Sequence, residues 1–271
     1  MCYYSTGTQT MYIDKANLMN LTGLWQKYGA QTLCSNLSAK VLFNPRWPFR
    51  CWIDQSIDNI EHQHITSCLD ALPEFATVPV WPITESTSDS VNGSLNSQAN
   101  QNKLLNDDWQ CGFEQLAMYK KLPSNRLLSA QSNSQLEVSR AASHEDIEMW
   151  VQIGSEAFAY QIDINVIKPL VNDKDIQLLL AWHNGQPAAC ALLYKTNEVI
   201  GIHQVAVKHA FQGKGIAKNF MQHIIATCSQ WQGEYMVLQA SLAGQPLYEK
   251  LGFKAQFKIK NYQRIPAQTN S

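Results

Sequence analysis

Hydrophobic and polar positions change period several times along the second half of the chain, and each change marks an element. Leu136-Glu137-Val138-Ser139-Arg140 alternates with period two and predicts a strand. Ser143 follows as a helix cap, with Asp146 three residues on in place of the usual Glu, and Ile147, Trp150, Val151 and Phe158 recur at helical spacing. Residues 162–170 read as a short helical or irregular piece ended near Pro169. An apolar strand over 176–182 is turned at Asn184-Gly185, and 188–194 reads as its hairpin partner. Val199–Val207 predicts a central strand that runs into a glycine turn, Gln212-Gly213-Lys214-Gly215. The turn opens an amphipathic helix whose apolar face is Ile216, Ala217, Phe220, Met221, Ile224, Ile225 and Cys228. Then come a strand over 235–239, a short helix carrying Tyr248, and a Gly252-Phe253 turn into a last strand.

The pattern before residue 136 is less regular. Residues 84–102 are mostly Ser, Asn, Gln, Thr and Gly and predict a mobile surface loop. Residues 123–135 read as an interdomain linker. Residues 1–122 carry Trp25, Phe43, Trp47, Trp52, Phe75 and Trp81, which imply a core, while Pro48, Pro79 and Pro82 mark edges and turns. Residues 109–119, with Gly112-Phe113, echo 250–259, with Gly252-Phe253. Each is expected to place Gly-Phe before a terminal strand, so the first half reads as a diverged duplicate of the second or an accessory domain.

Chemistry is most legible at the glycine turn. Amides at a helix start have no intrahelical acceptor, and the helix dipole adds about half a positive charge there. Gly213 and Gly215 lack the Cβ atoms that would hold a phosphate away. A phosphate-bearing ligand is therefore expected at this corner. The Walker loop, which ends in Gly-Lys-Ser/Thr, has no counterpart here. A dinucleotide fingerprint starting at Gly213 would put Lys218 where a small residue must pack helix on strand. The spacing that fits is Gln/Arg-x-x-Gly-x-Gly/Ala, met by Gln212, Gly215 and Ala217.

A second pattern stands further on, Leu247-Tyr248-Glu249-Lys250-Leu251-Gly252-Phe253. With both in this order, residues 135–262 resemble the GNAT superfamily of N-acetyltransferases, whose coenzyme A loop and Leu-Tyr-x-x-x-Gly-Phe signature they match. The resemblance implies an α/β (α+β) fold with a mixed central sheet flanked by helices. It implies a catalytic acyl-CoA-binding domain over 136–271 and a degenerate relative or accessory domain over 1–122. Nothing in 1–122 matches Gln-x-x-Gly-x-Gly, so that half is expected not to bind coenzyme A and to serve structurally, as one wall of the acceptor cleft.

The resemblance also implies transfer of an acetyl group from acetyl-CoA to an amine. Val205, Ala206 and Val207 take the place where the family's central strand pairs with the pantetheine arm, and the Val205 amide is the expected oxyanion donor. Gln212, Gly213, Lys214, Gly215, Ile216, Ala217 and Lys218 would take the pyrophosphate. Tyr248 matches the tyrosine that protonates the leaving thiolate, a sensible transfer from a phenol of pKa ~10 to a thiolate of ~8.5. Where family members have Asn and Ala before that tyrosine, this chain has Ser241 and Gly244; serine can still hydrogen-bond the cofactor arm with shorter reach.

An alkyl ammonium must lose a proton before it attacks, so a base is wanted near the central strand. His203, expected on one face with Val205 and Val207 by period-two alternation, is one candidate; it can equally be a strand residue that hydrogen-bonds a neighbour. Glu198, acting through a water, is the other. In this fold the acceptor lies against the segment joining the first two helices, here 157–162, with Phe158 and Tyr160. A coenzyme-binding sensor without turnover is the competing function.

Composition narrows the partners. A net charge of −1 gives no basic field for nucleic acid or anionic membrane, so the expected partner is a small-molecule or peptide amine. The sequence is compatible with a homo-oligomer. No apolar run approaches the roughly 20 residues that cross a bilayer, and the N-terminal residues lack signal character. Seven cysteines without a C-x-x-C pair read as free thiols in a reducing, cytoplasmic compartment. His62 and His64 have no further ligand at metal spacing, and no metal is expected.

Overall fold

A computed structural model of the chain describes residues 6–35, 40–53, 62–82, 105, 107–123 and 136–265. The expected loop over 84–102 and all but the first residue of the expected linker lie outside these.

The C-terminal elements follow the periodicity of the sequence. The first strand, β6 (Leu136–Arg140), leads to helix α3 (His144–Phe158), capped by a reciprocal Ser143–Asp146 box. Helix α4 (Ile164–Ile167) continues as a 3-10 turn over Lys168–Asn172. Pro169 does not end that piece; it enters the first turn of the 3-10 helix, where no amide is needed. The hairpin is longer than its apolar run, β7 (Ile176–His183) and β8 (Gln186–Thr196). The central strand β9 (Val199–Val207) has its expected bounds and precedes helix α5 (Ile216–Gln230). Strand β10 (Tyr235–Ala240), helix α6 (Gln245–Lys250) and strand β11 (Lys254–Arg264) complete the chain.

Strands β7 and β8 show why the apolar runs are continuous. Leu178 and Leu180 join a core with Trp150 and Ile153 of α3, whereas Leu179 and Ala181 face Phe220 and Ile224 of α5. Both faces are covered, so no polar alternation survives in the middle of the sheet. Trp150 is fully buried and donates its indole N–H to the Ala191 carbonyl at 2.9 Å.

The first half supplies helix α1 (Thr6–Lys27), a small sheet of β1 (Gln31–Ser35), β2 (Lys40–Phe43) and β3 (Cys51–Ile53), helix α2 (His62–Asp70), and strands β4 (Thr77–Val80) and β5 (Trp109–Lys121). Two of these strands join the large sheet, whose order is β4-β11-β5-β10-β9-β8-β7-β6. Strand β5 lies between β10 and β11, antiparallel to both, with Val237 opposite Tyr119 and Asn261 opposite Phe113. The change of composition after residue 122 is therefore not a division of the sheet. Nor is the Gly-Phe echo an equivalence of position: Gly112-Phe113 lies inside β5, whereas Gly252 forms a turn at φ +82° before β11.

Helix α1 crosses the sheet on the α3 side, with Ile13 against Val199 and Val237, and Leu18, Leu21 and Trp25 in the α3 core. Among the described cysteines, Cys51, Cys111, Cys190 and Cys228 are free, but Cys68 is disulfide-bonded, so the expectation of seven free thiols fails there.

Candidate active site

The glycine turn holds a set of unspent donors. Gly213 and Gly215 have φ +75° and +76°, and Gly215 caps α5 in the left-handed region. Asn219 is the first helix amide to find a carbonyl, that of Gly215 at 3.1 Å. Among the described residues, nothing accepts from the amides of 213–218. A Cβ built on either glycine meets no atom within 4 Å, so the turn opens to free space. Gln212 donates from Nε2 to the Val207 carbonyl at 3.3 Å and fastens the loop to the strand before it. Lys214 and Lys218 are exposed, and the Lys214 ammonium lies 5.1 Å from the centroid of the Phe211 ring.

The strand leading into this turn leaves its neighbour. Strands β9 and β10 are parallel partners only as far as Gly201 and Val237. Beyond them β10 continues to pair with β5, and β9 with β8, so the sheet splits between β9 and β10. Residues 202–207 thus lack a strand on their β10 side, and that edge offers main-chain groups to an extended ligand. Val205, Ala206 and Val207 all lie on it.

A bulge in β9 corrects one expectation. Cys190 pairs with Ala206 but Leu192 with His203, so three steps of β9 match two of β8. The extra residue is Gln204, at φ +53°. The alternation shifts phase there: Val205 and Val207 pack on the α5 side with Ile202, and Ala206 faces the α3 side. His203 points instead to α1, where Nε2 lies 3.0 Å from Asn20 Oδ1. It does not share a face with Val205 and Val207. Burial pushes its pKa down to about 3.

Glu198 is also remote. It sits in the β8–β9 turn, where its carbonyl accepts from the amides of Glu234 and Tyr235 at 2.7 and 3.2 Å. Seven residue steps along β9 separate it from Val205, at most roughly 23 Å at strand rise.

Tyr248 is half-buried on α6, its ring edge-on to Phe253 at 5.8 Å. Desolvation pushes its phenol up to about 12, so it remains protonated through the neutral range. Ser241 accepts the Gly244 amide on its hydroxyl oxygen at 3.2 Å, which shapes the turn into α6 and leaves its O–H to donate elsewhere.

The α3–α4 joint, where the acceptor is expected, meets both halves of the chain. Phe158 and Tyr160 stack at 5.6 Å, and the Tyr160 hydroxyl donates to Gln204 Oε1 at the bulge, 3.3 Å away. Trp47 reaches Tyr160 with ring centroids 6.5 Å apart, and Arg46 pairs with Asp163 at 2.8 Å. The 44–50 turn is thereby clamped onto the α3–α4 joint, and Arg50 follows beside Tyr160. Sequence reasoning missed Gln204, Trp47 and Arg50, since nothing near them in the chain signals these contacts. Among the described residues no group of three or more His, Cys, Asp or Glu could hold a metal, and no helix is long and apolar enough to cross a membrane.

Comparison with known proteins agrees with this geometry. Residues 138–268 match the family described as acetyltransferase (GNAT) domain. Among solved structures, a GCN5-related N-acetyltransferase from Kribbella flavida superposes with a TM-score of 0.63 at 13% identity, over 94% of this chain and 95% of that one. One from Sphaerobacter thermophilus gives 0.59 at 13% identity, over 84% and 76%. A putative GNAT-family acetyltransferase from Novosphingobium aromaticivorans gives 0.55 at 12% identity, over 92% and 96%. Among curated proteins none matches the sequence. At these identities the superpositions show a shared fold that takes in the first half as well as the second. The second half of this chain, over residues 138–268, is a GNAT acetyltransferase domain.

Proposed function

We propose that the protein transfers an acetyl group from coenzyme A to a primary amine by direct attack. One observation carries this reading: six consecutive amides, 213–218, have no acceptor among the described residues and border open space at a helix N-terminus. The pyrophosphate would lie there, and the pantetheine arm would add to the open edge of β9 along Val205–Val207. The Val205 amide would polarise the thioester carbonyl. The amine lone pair forms the new C–N bond, the C–S bond breaks, and the departing thiolate takes the Tyr248 proton. Water receives the proton lost by the amine, since the His203 imidazole is bonded to Asn20 under α1 and Glu198 is remote from the split.

Among the described residues neither candidate base, His203 nor Glu198, is positioned at the split, and this favours the second reading, a coenzyme-binding sensor. The deciding experiment is calorimetry with acetyl-CoA followed by a thiol-release screen of amines. Binding with turnover of some amine supports transfer. Binding without turnover across amino acids, polyamines, aminoglycosides and peptides supports the sensor, and absence of binding overturns both.

A further inference from the structure

Arg50 is half-buried, and among the described residues no carboxylate lies within ion-pair reach of its guanidinium. Its guanidinium donates from Nη1 to Asn261 Oδ1 at 3.0 Å and stacks over the Phe113 ring at 5.4 Å. Desolvation lowers its pKa to about 10, so it stays charged at neutral pH. Its remaining guanidinium N–H groups are not enclosed by protein, so they are open to an anion that could use their two-pronged geometry.

Its surroundings place it at the acceptor side of the split. On one flank, Arg50 acts electrostatically on Tyr160, whose hydroxyl reaches Gln204 of the β9 bulge. On the other flank, Asn261 donates to Gln115 Oε1 at 3.3 Å, and Gln115 Nε2 reaches the Gln239 carbonyl of β10 at 3.5 Å. The guanidinium thus sits between chains of contacts that lead to both walls of the β9–β10 split. The turn that carries it is held by the Arg46–Asp163 pair and by the Asn44 amide bonded to the Arg50 carbonyl at 2.9 Å.

We propose that Arg50 binds the carboxylate of the acyl acceptor, and that the acceptor is therefore a free amino acid whose amine faces the split. This rests on the acyltransferase reading above. A single planar guanidinium suits a single carboxylate in the two-pronged geometry that Arg provides. The stacked pair Phe158 and Tyr160 offers apolar surface on that flank, which suits an apolar or aromatic side chain on that amino acid.

The test uses the full chain with acetyl-CoA and thiol release as readout. L-phenylalanine and L-leucine are each compared with their methyl ester and their decarboxylated amine. Ester amines are less basic and so more available for attack, which biases the comparison against the proposal. The expected result is a preference for the free acid of at least about tenfold in kcat/KM, the scale of one charge-assisted contact. Arg50→Gln should abolish that preference, and Arg50→Lys should keep part of it, with acetyl-CoA affinity by calorimetry unchanged in both. Should Arg50→Gln fail to fold, the wild-type comparison still decides. Equal or better turnover of esters or decarboxylated amines overturns the proposal, as does failure to turn over either amino acid while acetyl-CoA binds. If acetyl-CoA itself does not bind, the acyltransferase reading has failed first.

Discussion

His203 Nε2 and Asn20 Oδ1 lie 3.0 Å apart, and this bond joins the central strand of the second half to the first helix of the chain. Asn20 spends its own amide on the Tyr194 carbonyl and the Thr196 hydroxyl, both at 2.9 Å. Its oxygen can only accept, so His203 carries its proton on Nε2 and is neutral. A residue held this way serves the fold. The pairing also explains why α1 accompanies the acyltransferase fold: it covers polar groups of β8 and β9 that would otherwise need water.

The first prediction concerns acid. Folded His203 titrates near 3, whereas an unfolded histidine titrates near 6.5. Between those values the unfolded chain binds a proton that the folded site refuses. The contribution to stability is therefore full above about pH 6.5 and is lost as pH falls toward 3. Denaturant midpoints should drop from pH 7.5 to pH 4.5, and His203→Gln should flatten the drop. At pH 7.5 the variant should lose about 1–3 kcal/mol through the disturbed Asn20 contact. Its turnover should stay within about threefold, against the hundredfold or more expected on removing a general base. A loss of that larger size would return His203 to the catalytic machinery.

A second prediction falls on the proton donor. Tyr248→Phe keeps the ring contact with Phe253 and removes only the hydroxyl. Turnover should fall about 10- to 100-fold, within the range of general acid catalysis, while acetyl-CoA affinity holds. Because the phenol is pushed up to about 12, the wild-type rate should show no Tyr248 ionisation below about pH 10. A pH–rate profile of both proteins checks this.

How far the chain could be read depended on where each residue finds its partners. The Ser143–Asp146 cap and the limits of β9 are written in local spacing, and they appear in the fold as read. Helix α1 escaped notice because its buried face includes Asp14, Asn17 and Asn20, which break the apolar stripe. These residues are satisfied from far away: Asp14 by Gln256, and Asn17 by Gln239 and Gln256. Strand β5 is similarly opaque, since both its partners come from the far end of the chain. The bulge at Gln204 leaves no mark in sequence because its residue is not glycine. It moved His203 off the expected face, an error that period-two reasoning cannot detect. Arg50 gains meaning only from Asn261, 211 residues away.

The third prediction separates the loop from the fold. Gly215→Ala places a side chain at φ +76°, a backbone cost of about 1–2 kcal/mol, without clashing with any protein atom. The added methyl projects into the open space bordered by the 213–218 amides. Coenzyme A affinity should fall about tenfold or more while the melting temperature drops only a few degrees. Calorimetry paired with a thermal melt checks it, and unchanged affinity would remove the pyrophosphate from this turn.

The fourth prediction addresses the joint between the two halves. A Cβ on Gly201 would collide with Asn20 Oδ1 and with His203 Nε2, neither of which can retreat without breaking the bond between them. Asn20 cannot swing away because its amide is fixed on β8, and His203 is enclosed by α1. Gly201→Ala should therefore lower stability by about 3 kcal/mol, the upper range for overpacking a rigid site. It should also raise the protease sensitivity of α1 above that of α5, because the strain falls on the α1 side of the sheet. Gly201 is also the last residue of β9 paired with β10. If Gly201→Ala unfolded α1 yet left acetyl-CoA affinity intact, the cofactor split would be independent of α1, and the acceptor wall alone would depend on the first half.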